Sequence, residues 1–389
     1  MTTSHQEPRP TRRRAVSAFA VVAVSGLVAA GAALPSSADA QSPTRDRVQQ
    51  GLDSLVRTDG FPAALASVRG RDGRVRDYTA GVGDLATKSP VPVNGQVRVA
   101  SNTKTFVATV VLQLVAEGKV RLDEPVETYL PGIVRGEGID GNTITVRQLL
   151  QHTSGLADYD EVVSDYAAIR HRYFEPREIV DLGLGKPALS APGAAWSYSN
   201  TNYVLLGLLV QKVTGRPIGE EITHRIIDRI GLRDTYWPAL GDQGIREPHP
   251  HGYFAQTPGA PLADVTEMDP SLGWAAGQLI STPRDLNTFF LALLGGDLLD
   301  PERLAEMKKT VAAPKSGVRG DERYGLGLST FTLSCGVEAW GHGGDAPGYE
   351  TRNAVTADGR AAAVAVTALP TAIDPAKHVE EAVETALCR

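Results

Sequence analysis

Apolar positions follow three successive regimes along the chain, and each change of period marks a change of element. Within residues 46–58, Val48, Leu52, Leu55 and Val56 recur at helical spacing, which predicts a surface helix after a short lead at residues 41–45. Two extended runs follow at residues 62–69 and 75–81. Gly70-Arg71-Asp72-Gly73 between them suits a hairpin turn. Residues 96–100 form a third extended piece, and from Ser101 to Leu294 the spacing is helical, with segments beginning at Ser101 and spanning 145–152, 160–171, 177–183, 201–214, 220–230 and 282–294. Connectors rich in Pro, Gly and Ala, such as residues 186–195 and 241–261, separate these segments. Beyond residues 301–310 strand character returns at 324–332, 337–342, 351–357 and 361–369, with Asp358-Gly359 as a turn and residues 374–387 as a closing helix.

Strands at both ends with helices between them predict an α+β fold. An antiparallel sheet built from residues 41–100 and 301–389 would be flanked by helices, with a mainly helical domain inserted at 101–300. No internal repeat is visible.

Composition narrows the function classes. The 389 residues carry a net charge of −6 and 42% hydrophobic residues, with no acidic or basic block in the body. That describes a globular enzyme-sized chain, expected to be a monomer and not to bind nucleic acid. Residues 1–40 read as a secretory signal: Arg12, Arg13 and Arg14 precede an apolar stretch at 15–34, and Ala38-Asp39-Ala40 offers a small-x-small cleavage site. A membrane anchor is the alternative, though a segment of Ala, Gly and Ser is weakly apolar for a spanning helix. Thr11-Arg12-Arg13 leaves both the general and the twin-arginine export routes open. Cleavage after Ala40 removes four arginines and two acids, so the secreted chain would carry −6 − 2 = −8. Cys335 and Cys388, the two cysteines, suit one disulfide in an exported protein; two buried thiols are the alternative.

The candidate chemistry starts at Ser101. Ser101 and Lys104 lie three residues apart at a helix start, hence on one face. A buried lysine with a lowered pKa can take a serine's proton, and the helix N-terminus favours the negative charge that develops. A capping serine beside a solvated lysine is the ordinary alternative. Tyr198 and Asn200 end a loop where another helix begins, so the phenol could relay a proton and the amide could meet a substrate; packing and N-capping would also account for them. Gly341-His342-Gly343-Gly344 ends a strand. Its glycines admit a ligand close to the backbone, and His342 would bring a polar or cationic side chain into a cleft.

In this order the three motifs, S-x-x-K, Y-x-N and H-x-G, resemble those of the serine β-lactamase and penicillin-binding family. The resemblance extends over about residues 46–389. Residues 97–106, 121–132, 144–159, 192–210, 324–328 and 333–348 look like the secreted, soluble D-alanyl-D-alanine carboxypeptidases of actinobacteria, which also have histidine in the third motif and a late cysteine pair. It implies a β-lactamase/transpeptidase-like fold and a covalent acyl-enzyme on Ser101. Lys104, Tyr198 and His342 would be the other catalytic residues, Asn200, Gly343, Gly344 and Asp345 would bind substrate, and the N–H groups of Ser101 and Asp345 would hold the oxyanion. No cofactor or metal is implied, and the substrate would be a small peptide, ester or β-lactam.

Three positions depart from that pattern. Gly343 replaces a threonine and Ser329 an arginine that meet the substrate carboxylate in those carboxypeptidases, and Asp345 puts an acid where they have threonine. Each charged hydrogen bond lost costs about 1.5–3 kcal/mol. These losses disfavour a free terminal carboxylate, yet the resemblance still implies D-alanyl-D-alanine carboxypeptidase activity first, with an esterase, amidase or D-aminopeptidase-like hydrolase, a class C-like β-lactamase, and a non-enzymatic penicillin-binding sensor as alternatives. A zinc site at His249 and His251 has no H-E-x-x-H to support it, and the G-x-S-x-G of α/β-hydrolases is absent.

Overall fold

Helix α1 (Pro43–Arg57) opens the part of the chain that a computed structural model describes, namely residues 43–162, 165–314 and 320–388. The secretory signal expected at residues 1–40 lies outside them. The helix starts within the expected lead, with Pro43 at the position where a missing N–H costs nothing.

Nine strands form one antiparallel sheet among the described residues: β1 (Ala63–Arg69), β2 (Val75–Gly81), β3 (Val311–Ala312), β4 (Arg323–Tyr324), β5 (Ser329–Thr332), β6 (Glu338–Gly341), β7 (Gly344–Ala346), β8 (Tyr349–Thr356) and β9 (Ala361–Val366). Their order is β2-β1-β9-β8-β6-β5-β4-β3, with β7 paired to β8. Both expected hairpins form, Arg69 facing Val75 and Val355 facing Ala361, and Ala64 facing Val366 joins the two ends of the chain in one sheet.

The sheet is covered on both faces, which is why β9 reads Ala-Ala-Ala-Val-Ala-Val instead of alternating with polar residues. Ala362, Val364 and Val366 share a core with Val48, Leu52 and Leu55 of α1 and with Val379, Val383 and Leu387 of α7 (Ile373–Leu387). Ala361, Ala363 and Ala365 point to the larger core, which includes Leu286, Phe289 and Phe290 of α6 (Pro283–Leu294). That second core continues into α2 (Asn102–Ala116), α3 (Val146–Leu150), α4 (Pro176–Leu184) and α5 (Asn200–Thr214). Every residue of α2 from Asn102 to Leu112 is buried, so this helix has no solvent face and Lys104 is enclosed on all sides. Cys335 and Cys388 are bonded, with Cα atoms 5.7 Å apart, and tie the end of α7 to the turn after β5. Among the described residues no helix is long and apolar enough to cross a membrane.

Four expected elements are revised. Residues 160–171 do not form one helix: a 3-10 turn at Tyr159–Val162 is followed by a single turn at Tyr166–Ile169, N-capped by Asp165. Tertiary bonds override the local pattern there, because the Tyr159 N–H donates to Thr201 and its hydroxyl donates to the Leu272 carbonyl. The strand expected at 324–332 reverses between β4 and β5, where Gly325 N–H bonds the Leu328 carbonyl. Gly327 makes this possible with φ +75°, packed where a Cβ would sit 2.5 Å from that of Ala108. The helix expected at 220–230 begins at Ile218 and contains a π turn at Thr223–Ile227. Finally, residues 96–100 pair only through Val97–Arg98, with Ile280–Ser281, outside the main sheet.

Candidate active site

Ser101 precedes α2, and its hydroxyl does not cap the helix. It lies 2.8 Å from Lys104 Nζ. Ala100, immediately before it, has φ +44°, a strained value for a residue with a side chain. Lys104 Nζ also donates to Asn200 Oδ1 at 2.6 Å and to the Ala276 carbonyl at 2.8 Å, so its three donors are used. The lysine is fully buried, and this burial pushes its pKa down to about 7 against the pull of Asp158, Asp160 and Asp345. Neither half of the ordinary alternative survives, since the serine is not a cap and the lysine is not solvated.

The Tyr198 ring centroid is 5.0 Å from Lys104 Nζ, and burial holds the phenol well above 10, opposed by its hydrogen bond with Ser101. Asn200 is the first residue of α5, and it does not cap that helix. Its carbonyl takes the Lys104 bond, and its amide nitrogen donates to Asp158 at 3.1 Å and to Asp160 at 2.8 Å. His342 lies across the cleft, its ring 6.4 Å from that of Tyr198. His342 Nδ1 is 2.6 Å from the Gly343 carbonyl and so carries the proton, leaving Nε2 to accept from the Tyr324 hydroxyl at 2.8 Å. Burial, then Lys104, push its pKa down to about 3. The histidine is neutral, which rules out the cationic role.

Gly344 lets β7 lie against the segment that delivers Ser101. A Cβ there would stand 2.2 Å from the Val99 carbonyl and 2.8 Å from Asn102 Nδ2. Gly344→Ala is therefore expected to destabilise by roughly 1–3 kcal/mol through overpacking, whereas Gly51→Ala, in open space on α1, stabilises slightly. Thermal unfolding of the two variants tests this; equal midpoints would mean that β7 does not press on Val99.

Two cavities open around the serine. One, of about 350 Å³, is lined by Tyr198, Tyr324, Ser329, His342, Gly343 and Arg352; the other, of about 260 Å³, by Arg98, Tyr159, Tyr166, Met268, Leu272 and Pro347. Ser101, Asp160, Asn200 and Asp345 belong to both. Asn200, Gly343 and Asp345 thus line the cleft, with Ser329 among them, whereas Gly344, also expected to bind substrate, is buried against Val99 and lines neither cavity. His249 and His251 stand elsewhere, their rings 5.9 Å apart, with His251 bonded to Asp264.

Several residues of the cleft escaped the sequence reading. Asp160 reads in the sequence only as the first residue of an ordinary helix at 160–171. In the fold Asp160 is open to the cleft, and desolvation by its walls, then Asp158, raise its carboxyl above the usual range. Arg352 sits in β8 with nothing local to mark it. It pairs with Asp345 at 2.7 Å, Glu350 at 2.7 Å and Glu380 at 3.7 Å. The acid at Asp345 is thereby compensated, which the residue pattern did not reveal. Burial pushes Glu350 up to about 8, with Arg352 pulling the other way.

The beta-lactamase family model matches residues 45–386. Among solved structures, a D-stereospecific amidohydrolase from Streptomyces sp. is 41% identical with a TM-score of 0.79, covering 87% of this chain and 97% of its own. A D-amino acid amidase from Ochrobactrum anthropi SV3 is 29% identical with a TM-score of 0.78, covering 89% and 97%. Esterase EstB from Burkholderia gladioli is 32% identical over 219 residues, 53% of this chain and 55% of that protein. The chain spans about half or less of several curated relatives it matches, 55% of EstB and 38% of the protein flp of Staphylococcus aureus.

Proposed function

Because the chain belongs to the beta-lactamase family of active-site serine hydrolases, we propose that it cleaves amides or esters of amino acids and short peptides whose reacting residue carries a free ammonium group. The observation that carries this reading is the charge balance beside Ser101. Asp158 and Asp160 both bond Asn200, and the cation that faces them is Lys104, itself held at a lowered pKa. Burial holds both carboxyls above the usual range, and Asp158 pushes Asp160 further, so among the described residues the pair lacks a cation on the cleft side, at Asp160. A substrate ammonium would supply the missing partner.

The proposed reaction begins at Lys104. Lys104, as the neutral amine, takes the Ser101 proton across 2.8 Å, and Oγ attacks the substrate carbonyl carbon. The oxyanion is held by the N–H groups of Ser101 and Asp345. When the intermediate collapses, the departing amine or alcohol receives a proton from the Tyr198 phenol, which recovers it from the Lys104 ammonium. Water then attacks the Ser101 ester by the reverse proton path, releasing the acid. Asn200 holds Lys104 against its carboxylates throughout, and neutral His342, through Tyr324, shapes the opposite wall.

Handedness follows from three attachments. With the carbonyl at Ser101 and the ammonium at Asp160, we assign the side chain to the second cavity, where Tyr159, Met268, Leu272 and Pro347 offer apolar contacts, and one configuration satisfies all three. The D-stereospecific amidohydrolase and the D-amino acid amidase favour the D configuration.

The second reading is the D-alanyl-D-alanine carboxypeptidase. It needs a site for a terminal carboxylate, and the cation in the first cavity, Arg352, is already committed to three acids. A comparison of kcat/KM on D-phenylalanine amide, its N-acetyl derivative, a diacyl-lysyl-D-Ala-D-Ala peptide, a p-nitrophenyl ester and a cephalosporin decides between them. The free-amine amide should exceed the N-acetyl compound by roughly 10- to 100-fold, the worth of one charged hydrogen bond. If the diacylated free acid is the best substrate, the carboxypeptidase reading is correct instead.

A further inference from the structure

We propose that His152 is the positioning residue for the proton-transfer pair, a neutral template that sets Tyr198 and Asn200 in register with Ser101; this rests on the acyl-enzyme reading above. His152 lies between α3 and the loop that follows, and its contacts bracket Tyr198 on the chain. Its carbonyl accepts the Ser197 N–H at 2.9 Å, and its Nδ1 accepts the Ser199 N–H at 3.1 Å. The same nitrogen lies 3.2 Å from the amide of Asn202. Between those two anchors the imidazole stacks on the Tyr198 ring, with centroids 4.3 Å apart and planes 30° apart. Tyr203 and Tyr324, at 5.2 Å and 4.9 Å, close the other sides.

Two features show that the site is made for this ring and is not simply filled by it. His152 has φ +59°, a left-handed conformation that lets its carbonyl and its side chain reach the same strand of chain. Because Nδ1 accepts a backbone N–H, the ring proton is on Nε2, and that buried atom has no partner among the described residues. An apolar ring would avoid the orphaned donor but would leave the Ser199 N–H unmet. Burial, then Lys104 and His342, keep the imidazole far below its ordinary pKa, so it remains uncharged beside the phenol. The ring touches no reacting atom. Its role is to fix the angle and depth of Tyr198, where a displacement of about 1 Å can cost about 100-fold in rate.

His152→Asn and His152→Phe separate the two halves of that role. Asparagine tolerates the left-handed backbone and keeps an acceptor for Ser199 but has no ring to stack; phenylalanine keeps the ring and loses the acceptor. Rates on a p-nitrophenyl ester are measured per active site, titrated by the initial burst, so that misfolded protein does not count. Both variants are expected to show kcat lowered roughly 10- to 100-fold with KM within about threefold of the parent. A merely structural role would lower the titratable fraction and the melting temperature and leave kcat per site unchanged. Parent-like kcat per titrated site in either variant overturns the proposal. Loss of fluorophosphonate labelling in Ser101→Ala tests the acyl-enzyme reading separately, so the two can fail independently.

Discussion

Lys104→Met is expected to lower kcat/KM by roughly 10³-fold, within the 10²–10⁴ range of positioned acid–base groups, and Ser101→Ala to abolish the covalent adduct altogether. Methionine preserves the volume of the lysine stem without leaving a buried charge. In the parent, kcat/KM should rise with pH through a midpoint of about 7, because the amine is a base only once its proton has left. Stability moves in the same direction. The unfolded lysine keeps its proton to about 10.5, while the folded one loses it near 7. Between these values the unfolded chain binds more protons, so the penalty of burying the charge is full below about pH 7 and fades as pH rises. Lys104→Met should therefore lack both the activity limb and this pH-dependent gain. Denaturant midpoints and kcat/KM between pH 5.5 and 9 provide the test. Activity above a tenth of the parent, or a rate independent of pH near 7, would remove Lys104 as the base.

Asp160→Asn is expected to act on one class of substrate. The amide keeps the shape of the side chain but cannot neutralise an ammonium, so kcat/KM on D-phenylalanine amide should fall roughly 10- to 100-fold, while the N-acetyl compound is affected much less. A second effect has a definite sign. Asp160 raises the pKa of Lys104, so its loss lets the lysine deprotonate earlier and moves the rising limb of the pH profile to lower pH. Asp160 is itself raised by burial and by Asp158, so the limb reports these carboxyls as well as Lys104. An equal fall on both substrates would mean that Asp160 serves only to hold Asn200, and the ammonium reading would fail.

The residues to which we assign the chemistry were easier to find in the chain than those to which we assign substrate selection. Ser101 and Lys104 could be paired from their spacing alone, since three residues on a helix place two side chains on one face. The two hairpins were legible because Gly73 and Gly359 mark turns between apolar runs. The strand β9 was legible as an apolar run after the Gly359 turn, but its burial on both faces became visible only in the assembled sheet. Local pattern also determined the secretory reading of residues 1–40 and the late cysteine pair. Where a glycine bends a strand back on itself, as at Gly327, the same pattern misled, because Leu326 and Leu328 are apolar in either conformation.

The electrostatic character of the cleft was decided by tertiary structure. Lys104 acquires its low pKa from burial by α5 and the Trp274–Gly277 turn, and Asn200 meets it across 96 positions of sequence. His342 is neutral because burial, then the nearby Lys104, disfavour its charged form, while Tyr324 and the Gly343 carbonyl fix which ring nitrogen carries the proton. Arg352 and Asp160 lie in segments that look ordinary one residue at a time. Desolvation and Coulomb interaction depend on which side chains surround a group in space, and the order of residues along the chain carries that information only after folding has brought distant segments within a few ångströms.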